Sequence, residues 1–188
     1  RMEYYLNRKR DRKSEIVQTI INYVILVLVA LVLAFCFVYF LFQTTKVVGD
    51  SMSPALKDGE HVVLARSAYL LHKPKRYDVI KFTVKKSSAE HQYIKRVIGL
   101  PKETVRITDG AVYINDKKLA DTVFTEDIVT AGIAEDGITL GEDEYFVIGD
   151  NCNNSEDSRF TNIGAVTKEA IEGKVIARIS GLKLKKVQ

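Results

Sequence analysis

The 188-residue sequence has only two cysteines and three histidines, and their positions exclude several kinds of site. Cys36 lies inside an apolar run and Cys152 has no partner after that run, so we expect no intrachain disulfide. His61, His72 and His91 are scattered, and the cysteines are not paired, so we expect neither a metal site nor a cofactor. The same scarcity leaves no suitable histidine base for a Ser-His-Asp triad.

An excess of charge of one sign is also nearly absent from most of the chain. The formal net charge is +4, of which residues 1–15 contribute +3 and residues 46–188 contribute +1. Nucleic-acid binding requires a basic face. We therefore exclude nucleic acid as a partner.

Residues 16–45 contain no charged side chain at all. The apolar run Ile16–Phe42 exceeds the roughly 20 residues needed to cross a bilayer. A cleaved signal peptide is the alternative, but its core has only about 7–15 apolar residues and an A-x-A site, which does not follow cleanly here. The basic cluster at residues 7–13 places the N-terminal flank in the cytoplasm. We predict a single-pass cell-membrane protein with a cytoplasmic tail (1–15), a transmembrane helix (16–42) and an extracytoplasmic domain (43–188).

The sequence after residue 57 is typical of a mainly β domain. Its short apolar segments are rich in β-branched and aromatic residues and are bounded by turn residues; they are "EHVVLAR", "YDVIKFTV", "YIKRVIGL", "ETVRITDGAVYINDKKL", "EYFVIGD" and "GKVIARI". Asp109-Gly110 predicts a hairpin, and a second turn is expected at Asn115-Asp116. Residues 121–144 are either a short helix or an irregular loop, and residues 167–173 predict one helical turn ended by Gly173. We predict coiled or barrel-like antiparallel β-sheets behind one transmembrane helix.

The segment "VVGDSMSPAL" (47–56) presents Ser51 in a turn, as a structural residue or as a nucleophile. Without a histidine base, a nucleophilic serine needs another base, and Ser-Lys pairs are a known variant. A lysine base must be neutral, which requires burial. Lys95 lies in an apolar strand, and alternation puts Lys95 and Arg96 on opposite faces, so that one of them points inward. The alternative is an amphipathic edge strand with two solvated charges.

A third segment, "FVIGDNCNNSEDSRF" (146–160), runs from an apolar strand into an almost wholly polar stretch. It is either a plain surface loop or a network of short hydrogen-bonding side chains that supports a site.

Taken in order, these segments resemble the motifs of the type I signal peptidases (leader peptidases). The family's Ser-Met-x-Pro matches "SMSPAL" (51–56), and its Gly-Asp-Ile-Val-Val-Phe is approximated by "YDVIKF" (77–82). Its Tyr-Ile-Lys-Arg-x-x-Gly-Leu-Pro matches "YIKRVIGLP" (93–101), and its Gly-Asp-Asn-x-x-x-Ser-x-Asp-Ser-Arg matches "GDNCNNSEDSR" (149–159). Each motif is weak alone, but four in order behind a membrane helix are highly specific. The likeness covers most of residues 47–166.

The resemblance implies a serine endopeptidase with a Ser/Lys dyad that cleaves signal peptides from exported preproteins after small, A-x-A-like residues. Ser51 would be the nucleophile, Lys95 its general base, and Ser155 the hydroxyl that orients the lysine. The residues expected to support them are Asp150, Arg96, Asp157 and Arg159. Small pockets for the substrate would be lined by Met52, Leu56 and Ile94. The expected partners are signal peptides and the lipid bilayer, and the protein is expected to be a monomer.

The resemblance also implies an oxyanion site to which the backbone N–H of Ser51 contributes. Some relatives have a hydroxyl two residues before the nucleophile as a second donor, but this chain has Gly49 there. Two other functions are compatible with parts of the sequence. A self-cleaving Ser-Lys enzyme of the repressor type would carry a DNA-binding module in place of the membrane helix. A catalytically silent, membrane-tethered β-domain that binds partner proteins would be expected to lack Ser51 or Lys95, and both are present.

Overall fold

The computed structural model describes residues 2–86, 89–120, 124, 126–180 and 183–187. The chain divides into two units, Arg1–Leu41 and Phe42–Gln188. The first unit is one helix, α1 (Met2–Leu41). Its segment Glu15–Leu41 has a mean hydropathy of 3.2 and is long and apolar enough to cross a membrane. The predicted N-terminal apolar helix is therefore confirmed.

The second unit contains two antiparallel β-sheets. The smaller sheet has the strand order β7-β6-β5-β8, with the strands β5 (Thr104–Thr108), β6 (Ala111–Ile114), β7 (Lys117–Lys118) and β8 (Ile138–Thr139). The larger sheet has the order β1-β2-β11-β3-β4-β9-β10, with β12 also paired to β11. Its strands are β1 (Phe42–Lys46), β2 (His61–Ala65), β3 (Val79–Lys86), β4 (Ala89–Gly99), β9 (Glu144–Ile148), β10 (Val166–Thr167), β11 (Ile171–Ser180) and β12 (Lys183–Lys186).

This architecture confirms the predicted mainly β fold behind one apolar helix. Within the described strands neither pairing path closes on itself, so the sheets are open rather than one closed barrel. Helix α1 ends at Leu41, one residue before the predicted boundary, because Phe42 already pairs with Ala65 of β2. The sequence did not predict four short strands, β1, β8, β10 and β12, which have at most five residues each and pair with the strands β2, β5, β9 and β11.

Both predicted turns are present, and their backbone geometry explains the residues found there. Asp109 and Gly110 join β5 to β6 with φ of 49° and 74°, and Asn115 and Asp116 have φ of 49° and 63°. Asparagine, aspartate and glycine tolerate this left-handed region better than other residues. These short polar pairs therefore set the register of the smaller sheet.

Two other local predictions differ from the structure. In the segment 167–173, the helical turn is a 3-10 turn at Lys168–Ala170, and β11 has already begun at Ile171, so Gly173 does not end it. Gly173 is needed for packing instead, because a Cβ there would lie 2.6 Å from the carbonyl oxygen of Ala65. In the segment 121–144, a 3-10 turn at Gly132–Ala134 and strand β8 are present, while residues 121–123 and 125 lie outside the described residues.

Apolar residues of the 47–60 turn pack against the larger sheet and so fix the part of the fold that carries Ser51. Met52 and Leu56, both within this turn, are fully buried and pack with Val47 and residues of β2, β3 and β11. Burying a side chain of this size contributes about 1.5–3 kcal/mol. The turn is therefore anchored to the sheet by its own buried side chains.

Candidate active site

The turn that carries Ser51 is closed at its base by backbone hydrogen bonds. The N–H of Val47 donates to the carbonyl of Glu60 at 2.8 Å, and the N–H of Gly59 donates to the carbonyl of Val47 at 3.0 Å. Gly49 has a φ of 82°, a conformation that favours glycine, and its N–H donates to the side chain of Asp58 at 2.8 Å. The chain is thus held at both ends of the segment that presents Ser51.

Strand β4 brings Lys95 to this turn. The Nζ atom of Lys95 lies 2.6 Å from the Oγ atom of Ser51, although 44 residues separate the two in sequence. A nucleophile and its base must lie within hydrogen-bond reach of each other. The structure therefore brings together the two residues that the sequence predicted as a pair.

The prediction that only one of Lys95 and Arg96 points inward is wrong, because each is only 3% exposed. At this point β4 lies between β3 and β9. The turn with Ser51 covers the lysine's face of the strand, and Asp150 covers the arginine's face. Neither charge is solvated, so the alternative of an exposed amphipathic strand does not apply.

Burial lowers the pKa of Lys95 from 10.5 to about 8. Loss of water around the ammonium is the largest cause, because it disfavours the charged form. The carboxylates of Asp157, Glu156 and Asp150 act in the opposite direction, and Arg159 adds to the lowering. A large fraction of Lys95 is consequently neutral at mildly alkaline pH.

Arg96 and Asp150 form a buried ion pair next to the dyad. The guanidinium donates twice to the carboxylate, at 2.7 and 2.6 Å, and once to the carbonyl of Tyr77 at 2.9 Å. Two parallel hydrogen bonds of this kind fix orientation as well as distance. The pair ties β4 to the loop after β9.

Asp157 is the centre of the second group of predicted supporting residues, and it has no exposed surface. Its carboxylate accepts hydrogen bonds from Arg159 at 2.8 and 2.9 Å, from the N–H of Gly149 at 3.1 Å and from the hydroxyl of Ser155 at 2.7 Å. Among the described residues, Ser155 makes no hydrogen bond with Lys95. The structure thus differs from the predicted direct contact, because the hydroxyl of Ser155 donates to the buried carboxylate two residues away.

Two residues of the segment 146–160 that were not predicted as site residues lie against the backbone of Ser51. A Cβ on Gly149 would overlap the carbonyl oxygen of Ser51 and the hydroxyl of Ser155. The backbone N–H of Asn151 donates to that same Ser51 carbonyl at 3.1 Å, and its side-chain amide donates to the carbonyl of Asp50 at 3.2 Å. A Gly-Asp-Asn sequence directly after a buried strand was the available indication.

A groove of about 560 Å³ opens beside the dyad. Its walls come from the end of β1, the turn with Ser51, strands β3 and β4, and the loop after β9; they include Lys46, Val48, Ser51, Met52, Lys81, Tyr93, Ile94, Lys95 and Glu156. Two of the three predicted substrate residues, Met52 and Ile94, therefore line the groove. Leu56, the third, has no exposed surface and packs in the core, so its prediction as a pocket residue is corrected.

The backbone also leaves a donor at the nucleophile. Within the described part of the chain, the N–H of Ser51 has no protein acceptor, whereas the N–H of Gly49 is already bonded to Asp58. A donor aimed at a developing negative charge can contribute about 10²–10³ in rate. This N–H is free to serve an oxyanion, and that of Gly49 is not.

The chain is similar in sequence to the proteins of one known family. Residues 20–180 match the sequence profile of the family described as "Signal peptidase, peptidase S26". The chain is 33% identical over 154 residues to signal peptidase I T of Bacillus subtilis (strain 168), covering 78% of each chain. It is 34% identical over 174 residues to a signal peptidase I of Bacillus amyloliquefaciens, covering 88% of each. A crystal structure of a signal peptidase I from Enterococcus faecalis V583 is 32% identical and matches 55% of this chain and 97% of its own, with a TM-score of 0.45.

Proposed function

Since the chain belongs to the signal peptidase family, peptidase S26, we propose that it is a membrane-anchored serine endopeptidase in which Lys95 activates Ser51. The single observation that carries this proposal is the 2.6 Å contact between the buried amine and the hydroxyl. Both members of the pair come from one chain, so the chemistry needs no second copy.

The reaction follows from the parts of the site. Neutral Lys95 takes the proton of Ser51 as the Oγ atom attacks the carbonyl carbon of the cleaved peptide bond. The backbone N–H of Ser51 stabilises the oxyanion of the tetrahedral intermediate. Protonated Lys95 then gives its proton to the leaving amine, and an acyl-enzyme ester remains. A water molecule, deprotonated by Lys95, attacks the ester carbonyl. Lys95 then returns the proton to the Oγ atom of Ser51 as the bond to the acyl group breaks, which releases the acid and restores the dyad.

The buried groups around the pair support this mechanism by fixing its geometry. The pair of Arg96 with Asp150 ties β4 to the loop after β9. Asp157 and Arg159 bond to each other within that loop, whose Asn151 N–H donates to the carbonyl of Ser51. We assign these four residues to positioning, since none of them contacts the hydroxyl of Ser51. A misplacement of the nucleophile by 1 Å can cost about 10²-fold in rate, so this support matters to turnover.

The substrate is a signal peptide bound in an extended conformation. Among the described strands, residues 89–95 of β4 pair with β3 alone, because β9 begins to pair at Arg96. An edge of this kind accepts an added strand through main-chain hydrogen bonds. Met52 and Ile94 stand beside this edge in the groove and favour small residues before the cleaved bond.

The membrane orientation is part of the same proposal. The basic cluster at residues 7–13 favours a cytoplasmic N-terminal tail, and the charge-free run after Glu15 favours a single span. The domain that starts near residue 43 then lies on the outer side of the cell membrane. Signal peptides reach that side with their cleavage sites during export.

Cleavage of a preprotein by the purified full-length chain in detergent tests the function. We expect Ser51→Ala and Lys95→Ala each to lose at least 10³-fold in kcat/KM, the scale expected when a member of a nucleophile–base unit is removed. Lys95→Arg is expected to fail as well, because a guanidinium remains protonated. Ser53→Ala, in the same turn, is the matched control. Turnover near that of the control in any of the three variants would refute the dyad.

A further inference from the structure

Lys81 is a charged residue in the wall of the substrate groove. It lies on β3, where it pairs with Ile94 of β4, so the two side chains are on the same face of the sheet. Both residues line the groove, yet Lys81 is only 5% exposed. A buried lysine is rare unless it is paired, so this side chain requires an explanation.

Its partner is Glu172 of β11, 91 residues away in sequence. The Nζ atom of Lys81 lies 2.6 Å from the carboxylate, and the hydroxyl of Thr83 donates to the same carboxylate. Burial acts to raise the pKa of Glu172, but the hydrogen bonds from Lys81 and Thr83 and the charges of Lys81 and Arg66 together outweigh it, and the pKa is lowered. The groove wall thus holds an ammonium, and the carboxylate of Glu172 lies next to it.

The ammonium keeps hydrogen-bonding capacity for another molecule. A lysine side chain has three N–H donors. In the described part of the chain, the carboxylate of Glu172 is the one acceptor bonded to Lys81. The other N–H donors of Lys81 therefore belong to a residue of the groove wall, along which a bound peptide would lie.

We propose that Lys81 determines substrate specificity by donating a hydrogen bond to one polar side chain of the signal peptide. The proposal rests on the function proposed above and adds the class of residue that the groove selects. An extended peptide in the groove alternates its side chains, so one of them faces the wall formed by Ile94 and Lys81. There a hydroxyl or amide oxygen satisfies the ammonium, while an aliphatic side chain leaves its N–H groups unpaired.

A purely structural role for the ion pair makes a different prediction. If the ion pair only joins β3 to β11, its removal would destabilise the protein or weaken its binding of every substrate to the same extent. A specificity determinant changes selectivity at one substrate position and leaves the others unchanged. Position-resolved selectivity is therefore the measurement that separates the two roles.

The experiment uses the full-length protein in detergent and preproteins that differ at one of the second to fifth residues before the cleaved bond. At each position Thr is compared with Val, and Asn with Leu, because each pair has nearly the same size. We expect the unsubstituted protein to prefer the polar member at one position, and Lys81→Met to lose or reverse that preference by roughly tenfold or more. Lys102→Met, whose side chain is 70% exposed, is the matched control.

A second variant keeps the test conclusive if Lys81→Met does not fold. Glu172→Gln keeps the ammonium but removes its counter-charge, so we expect Asp or Glu to be accepted better at that same position. Selectivity profiles parallel to that of the unsubstituted protein, in Glu172→Gln and in folded Lys81→Met, overturn the inference while the proposed function stands. Absence of cleavage of any substrate by the unsubstituted protein overturns the function itself, and the inference with it.

Discussion

The hydroxyl of Ser155 donates a 2.7 Å hydrogen bond to the carboxylate of Asp157, the same buried carboxylate that two nitrogens of Arg159 contact. The negative charge of Asp157 in turn raises the pKa of Lys95 against the larger lowering that burial causes. Ser155 therefore acts on the lysine through a carboxylate, as a positioning residue and as a screen for its charge.

We predict that Ser155→Ala moves the rise of kcat/KM to higher pH. Without this donor, the charge of Asp157 acts more strongly on Lys95, so the pKa of Lys95 increases and less neutral amine is present at pH 7. At high pH the variant should approach the unsubstituted protein. A loss that is equal at every pH would point instead to a direct contact of Ser155 with Lys95 in the substrate complex. Ser53→Ala serves as the control for a lost hydroxyl.

The pH dependence of kcat/KM should follow the titration of Lys95. Because the base works only when neutral, kcat/KM should rise with pH and level off above about 8. At pH 6 the value should be roughly a hundredfold below the plateau, one factor of ten for each pH unit. A flat profile from pH 6 to 10, under conditions where chemistry limits the rate, would contradict a lysine base.

The same titration should appear in stability, with a sign that follows from the direction of the pKa change. The folded pKa of Lys95 is about 8 and its ordinary value is 10.5, so between these values the unfolded chain binds more protons. The free energy of unfolding therefore rises with pH across this window, by about 3 kcal/mol. Urea unfolding from pH 7 to 11 measures it against Lys95→Met, which lacks the group. Equal pH dependence in both proteins would show that the lysine is not desolvated.

Gly149→Ala should disturb the nucleophile directly. The added methyl group would overlap the carbonyl oxygen of Ser51 and the hydroxyl of Ser155, and overpacking of this kind costs typically 1–3 kcal/mol. We expect at least a hundredfold loss in kcat/KM, since Ser51 must move. Gly141→Ala is the control, because its Cβ would meet only the flexible end of Glu144 at 3.1 Å. Activity in Gly149→Ala equal to the control would mean that this contact does not set the position of Ser51.

Membrane orientation can be tested with introduced cysteines. Cys152 is unsuited as a probe because it is only 3% exposed, so Leu71, which is 91% exposed, is the better position in the domain. In intact cells, a membrane-impermeant maleimide should label Leu71→Cys and should label Arg8→Cys only after lysis. The unsubstituted chain reports background labelling. Labelling of Arg8→Cys in intact cells, with Leu71→Cys protected, would reverse the orientation.

Local patterns were enough for most of the fold. The charge-free run after Glu15 identified helix α1, alternating apolar residues identified the long strands, and Asp109-Gly110 identified a hairpin. Such features depend on residues that are close in sequence. The two-residue strands β8 and β10 were missed because their pairing partners are distant in sequence: Ile138 of β8 pairs with Val105 of β5, and Val166 of β10 pairs with Tyr145 of β9.

The sequence by itself determined the identity of the chemical groups: a serine in a rigid turn, a lysine in an apolar strand, and a polar loop after a buried strand. Only the tertiary structure decided their relationships. In the structure Arg96 is buried as well as Lys95. Ser155 donates its hydrogen bond to Asp157, and Leu56 packs in the core. Lys81, in the groove wall, also forms an ion pair with Glu172. The physical reason is that hydrogen bonds, burial and pKa values depend on distances in space and on the exclusion of water, which segments far apart in the sequence create together.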